Sequence, residues 1–105
     1  MAKAYYASSI QDFLNSTPIT VQGHILIQDE MRATTEQKNA WRDEIAILQE
    51  QLRFLPDDGS IIFEYTVPRI GSRIDVVCII HGIIFVLEFK GNETEYRPED
   101  EEQVI

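Results

Sequence analysis

One hundred and five residues, 44% hydrophobic and 26% charged, make one small domain near the lower end of what buries a self-sufficient core, and they exclude a disordered polymer. The formal net charge of −9 repels nucleic acid as a bulk property, so contact with it requires a local patch that overrides the sign. No apolar run approaches the roughly twenty residues of a membrane span, and MAKAYYASSI lacks the apolar core of a secretory signal, so the expected location is cytoplasmic, without membrane contact.

In chain order, residues 1–35 read as a helical lead-in. Ser8 or Ser9 can cap IQDFLNS, and Ser16 or Thr17 stands before Pro18, the preferred first residue of a helix. Ile19, Val21, Ile25 and Leu26 supply that second helix with apolar contacts, although Val21 and Gly23 weaken it. Thr34 followed by Gln37 forms a capping box, after which Trp41, Ile45, Leu48 and Leu52 recur at helical spacing. PDDGS at 56–60 ends that helix, and IIFEYTV at 61–67 reads as a strand from its β-branched and aromatic content. PRIGS turns the chain. Strands at about 73–80 and 83–90 then flank His81 and Gly82, a two-residue hairpin loop with glycine at positive φ. Residues 91–105 are dominated by acids. The lone cysteine, Cys78, cannot form an internal disulfide and reads as a small hydrophobe in an apolar strand. His24 and His81 have no zinc-ligand spacing with it; they read as a helix-surface and a turn residue.

The charges of the hairpin lie at its open end. With His81 and Gly82 as the loop, Ile80 opposes Ile83 and Asp75 opposes Glu88, so Arg73, Asp75, Glu88 and Lys90 emerge together on one face. Two carboxylates in that position repel unless a positive charge lies between them. A hard divalent cation, magnesium or manganese, answers that need. A cross-strand cluster in which Arg73 and Lys90 neutralise the two acids answers it equally.

Asp75, twelve intervening residues and then Glu88-Phe89-Lys90, set in strands behind PRIGSRID, resembles the signature of the PD-(D/E)xK nuclease superfamily. Ile74 stands where that superfamily has its proline. NAWRDEI, IFEYTVPRIGSRIDVVCIIHGIIFVLEFK and the closing QVI look like the N-terminal region of bacterial proteins that carry a Schlafen-like DNA/RNA helicase domain further on. The resemblance implies an α/β (α+β) fold: N-terminal helices, then a three-stranded antiparallel meander of restriction-endonuclease-like type, with a further helix and strand to close the core. Residues 1–105 are then the N-terminal part of such a domain, divided into 1–35, a helix plus three strands at 36–90, and the acidic 91–105. It implies Asp75 and Glu88 as metal ligands and Lys90 as the catalytic lysine of a magnesium- or manganese-dependent hydrolase cutting DNA or RNA phosphodiesters. Arg73 could steady a phosphate oxygen. Glu64, Glu44 and Gln103 are supporting candidates, each with a plainer alternative. With Val67 opposite Arg73, Glu64 falls across from Val76 on the wrong face, and Glu44 borders the apolar stripe of its helix as a surface charge would. The expected partners are nucleic acid, through the helicase region, and a second copy covering apolar surface of IIFEYTV or IIFVLEF. The alternative is a catalytically inactive scaffold for oligomerisation or docking.

Overall fold

A computed structural model describes residues 4–55 and 58–89. Among the described residues the chain is mixed α+β, with three helices and a four-stranded antiparallel sheet in the order β1-β2-β3-β4. The strands are β1 (Tyr6–Ser9), β2 (Gly59–Thr66), β3 (Arg73–Ile80) and β4 (Ile83–Leu87); the helices are α1 (Ile10–Asn15), α2 (Pro18–Gln28) and α3 (Thr35–Leu52). No helix among the described residues is long and apolar enough to cross a membrane.

Each helix begins where a hydroxyl can accept from a backbone N–H left free by the first turn. Ser9 Oγ accepts from Asp12 N at 3.0 Å, Thr17 Oγ1 from Thr20 N at 3.2 Å and Thr34 Oγ1 from Gln37 N at 3.1 Å. Pro18 opens α2 as expected, and that helix runs unbroken past Val21 and Gly23, because Val21 and Ile25 are fully buried against the rest of the core. The Gln49 side chain then ties α3 to α1, its Nε2 donating to Phe13 O at 2.9 Å and Ser16 O at 2.7 Å. These acceptors are carbonyls at the end of a short helix that has no next turn to receive them.

All three helices contribute to one core on one face of the sheet. Phe13, Ile25, Trp41, Ile45 and Leu48 meet Ile61 and Phe63 of β2 and Val76, Cys78 and Ile80 of β3. Register explains why those strand residues share a face, since Ile61 pairs with Cys78 and Phe63 with Val76. Cys78 packs as the expected small hydrophobe, and burial pushes its thiol pKa up. Gly59 sits where a side chain has no room: a Cβ there would lie 2.6 Å from Ile79 O of the neighbouring strand and 2.9 Å from Ile10 Cδ1.

Two expectations are corrected. The lead-in is not wholly helical, and the sheet has four strands and not three, because Tyr6–Ser9 pairs with β2, Tyr6 opposite Phe63 and Ser9 opposite Ser60. Tyr6 stacks edge-on against Phe63 with centroids 5.9 Å apart, a cross-strand aromatic contact that holds so short a strand in place. The second correction is register: Thr66, not Val67, pairs with Arg73, while Val67 N donates to Ser72 O at 2.9 Å across the turn. The β3–β4 hairpin follows the expected register, from Ile80 opposite Ile83 to Val76 opposite Leu87. His81 and Gly82 both have positive φ, 53° and 78°, the twist that a two-residue loop needs. Strand pairing stops at Leu87, short of the expected residue 90.

Candidate functional site

Correcting the β2–β3 register changes the place of Glu64. Phe63 pairs with Val76 and Tyr65 with Ile74, so Glu64 lies opposite Asp75, with no ladder pair between the two. At that break Glu64 has a φ of 54°, a left-handed conformation rare for a non-glycine residue within a strand. Phe63 and Glu64 are consecutive and both buried, so the strand's usual alternation is lost there. The Glu64 carboxylate is held on both oxygens: Trp41 Nε1 donates to Oε2 at 3.2 Å and Arg73 Nη1 to Oε1 at 3.4 Å. The Arg73 guanidinium lies 4.8 Å above the Tyr5 ring, and Tyr5 in turn meets Trp41 edge-on at 6.2 Å. Burial raises the pKa of Glu64 and the charge of Asp75 adds to this, while the Trp41 hydrogen bond and Arg73 oppose it.

Glu44 reaches the same region from α3. It follows Trp41 by three positions, precedes Ile45 by one, and shares their buried side, at 5% exposure. Its Oε1 has no hydrogen-bond partner among the described residues. Such a group is costly when ionised, and the Glu44 pKa is raised to about 8, first by burial and then by the charges of Asp75, Glu64, Glu88 and Asp43. Glu44 is therefore mostly protonated at neutral pH. The expectation of a surface charge is overturned, because the side of α3 that carries Glu44 faces a cleft instead of open solvent. That cleft, of about 560 Å³, is lined by α3 from Gln37 to Ile47, including Asp43 and Glu44, and across from it by Asp75 and Phe89.

The open end of the hairpin closes on Asp75, whose Oδ2 accepts from Phe89 N at 2.9 Å. This bond holds the chain just beyond β4, so Glu88, exposed, stays near enough to act on Glu44. The expected quartet on one face is thus only partly assembled. Asp75 is bonded to the backbone next to Glu88, Arg73 is turned to Glu64 and Tyr5, and Lys90 and Gln103 lie outside the described residues. Among the described residues, no three His, Cys, Asp or Glu side chains already stand close enough to hold one metal ion. The donor set is nevertheless all oxygen and mutually repulsive, with one buried oxygen unpartnered, which suits a hard cation and not zinc.

Trp41 and Tyr5 were read as core and lead-in only. A buried indole N–H needs an acceptor, and the acids of β2 and β3 were the available ones, so this signal was present for Trp41. No sequence signal marks Tyr5 as the platform beneath Arg73. Comparison of the chain with protein-family models, with curated proteins and with solved structures returned no match in any of the three.

Proposed function

We propose that this domain is a nuclease-like module of restriction-endonuclease type, in which a divalent cation, magnesium or manganese, is recruited to the Glu44–Asp75–Glu88 cleft to act on a nucleic-acid phosphodiester. The observation that carries the proposal is the Glu44 carboxyl, buried, without a partner at Oε1 among the described residues, and raised in pKa by its burial and by the charges of Asp75, Glu64, Glu88 and Asp43. Natural cores rarely keep such a group without a use. Asp75, in the lining of the cleft, and Glu88, close enough to act on Glu44, offer oxygen ligands, and Glu44 holds a proton at neutral pH. Arg73, with its side chain 48% exposed, can reach a phosphate oxygen while still contacting Glu64. A bound cation would supply charge neutralisation and polarise the phosphoryl group. Lys90, two residues after Glu88, would assist the attacking water, as the resemblance to the superfamily implies.

The second reading, an inactive scaffold, is favoured by a specific observation. Arg73 and Trp41 already satisfy Glu64, and protonation already neutralises Glu44, so the acids are tolerated without an ion. A cleavage assay on labelled single- and double-stranded DNA and RNA, with manganese or magnesium against chelator, separates the two. The nuclease reading expects ion-dependent cleavage lost in Asp75→Asn and Lys90→Ala. Absence of cleavage on all four substrates, with the protein folded and the ion bound, leaves the scaffold reading in its place.

A further inference from the structure

Among the described residues the β4 strand lies at one edge of the sheet, and it carries five consecutive apolar residues, Ile83 to Leu87, with no charge, proline or bulge among them. Edge strands normally carry such devices to prevent pairing with another chain. Four of these residues are left well exposed: Ile83 at 57%, Ile84 at 65%, Phe85 at 44% and Val86 at 50%. The exposure covers both faces. Ile83 and Phe85 share the face of Ile80 and Cys78, and Ile84 and Val86 share that of Ile79 and Val77.

The phase of the backbone can be read from the turn. A two-residue loop is closed by a hydrogen bond between its flanking residues, here Ile80 and Ile83, and bonding alternates along an antiparallel pair. Ile83, Phe85 and Leu87 therefore bond inward to β3, while Ile84 and Val86 direct N–H and C=O outward. We propose that β4 is a self-association edge on which a second copy of this chain pairs antiparallel about a two-fold axis at Phe85, joining the two sheets into one. In that register Ile84 of each copy exchanges both backbone hydrogen bonds with Val86 of the other, and Ile83 lies opposite Leu87. The two Phe85 rings meet at the close, non-bonded position.

The identity of the occupant follows from the strand's own symmetry and from charge. Antiparallel pairing centred on Phe85 sets apolar residues against apolar residues throughout and places each Glu88 across from the other copy's Gly82. The two acids at the end of β4 are thereby kept apart despite the net charge of −9. A parallel pairing would bring the two Glu88 side chains alongside each other. A foreign acidic or basic strand would leave its charges against Ile84 and Val86.

Sedimentation equilibrium of the intact chain tests this, with about twice the 12.1 kDa chain mass expected at high concentration. Ile84→Pro removes an outward N–H that the β3–β4 ladder does not use, and Val86→Lys places a charge at the new seam. Each is expected to weaken dimerisation about tenfold or more while leaving the far-ultraviolet circular dichroism unchanged. Hydrogen exchange should show the Ile84 and Val86 amides protected in the dimer and exposed on dilution. A monomer at several hundred micromolar overturns the proposal. If its two amides are protected, the edge belongs to the chain's own residues beyond 89; if they exchange freely, it is open to a foreign strand. A dimer unaffected by both substitutions places the contact elsewhere and overturns it equally.

Discussion

Replacing Glu44 with glutamine is expected to change stability little near pH 5 and to stabilise the protein above pH 7. The folded-state pKa of Glu44 is raised to about 8 from an ordinary value of 4.5. A group whose folded pKa is raised binds its proton more tightly in the native state, so its stabilising effect is complete below 4.5 and disappears as pH climbs towards 8. Each pH unit within that window removes about 1.4 kcal/mol, which makes the loss about 3 kcal/mol by pH 7 and about 5 kcal/mol in the alkaline limit. Glutamine keeps the shape but cannot ionise, so the variant escapes the loss. Near pH 5 both side chains are neutral and the two proteins should agree within about 1 kcal/mol. Urea unfolding of both proteins from pH 5 to pH 9, in chelator, measures the difference directly and cancels the contribution of titrating groups that do not interact with Glu44. A difference that stays flat across the whole range would refute the assignment of Glu44 as the buried proton holder.

Trp41→Phe removes the donor to Glu64 Oε2 and replaces a buried indole with a smaller ring, and should cost about 2–4 kcal/mol by denaturant melt. Because that hydrogen bond lowers the Glu64 pKa, the cost should be greater at pH 8 than at pH 5. Gly59→Ala forces a methyl group to within 2.6 Å of Ile79 O, a backbone atom that cannot swing aside, and should destabilise by about 1–3 kcal/mol in the same assay. His81→Asn, at a φ of 53° beside Gly82, should stabilise the hairpin by about 0.5–1 kcal/mol, read as a rise in melting temperature.

What could be read in advance was whatever depended on local chemistry. Thr17 and Thr34 announce their helices because a side-chain oxygen at that position has one obvious use, and His81-Gly82 announces a hairpin because few pairs of residues accept two positive φ angles. From that turn the opposition of Ile80 with Ile83, and the meeting of Asp75 with the end of β4, follow by counting. What stayed hidden depended on distant parts of the chain. Tyr6–Ser9 is too short to announce itself as a strand, and becomes one because β2 offers an edge and Phe63 an aromatic partner. Glu64 joins the site through a left-handed break in β2 that no residue type foretells, since glutamate has no preference for that conformation. Glu44 occupies a border position on α3, and only the arrival of Asp75 across the cleft decides that the border is buried.

If the acids around Glu44 await a cation, thermal melting of the intact chain in manganese will show it. The experiment is best run near pH 8, where Glu44 can release its proton. Manganese at about one hundred times its dissociation constant should stabilise the fold by roughly 2.7 kcal/mol, raising the melting temperature by several degrees. Sodium chloride at equal ionic strength should not reproduce the shift, and Asp75→Asn should abolish it while leaving the protein folded. A wild-type melt that manganese leaves unchanged, or that sodium chloride reproduces, would rule out the cation and leave Glu64 paired with Arg73 and Glu44 holding its proton.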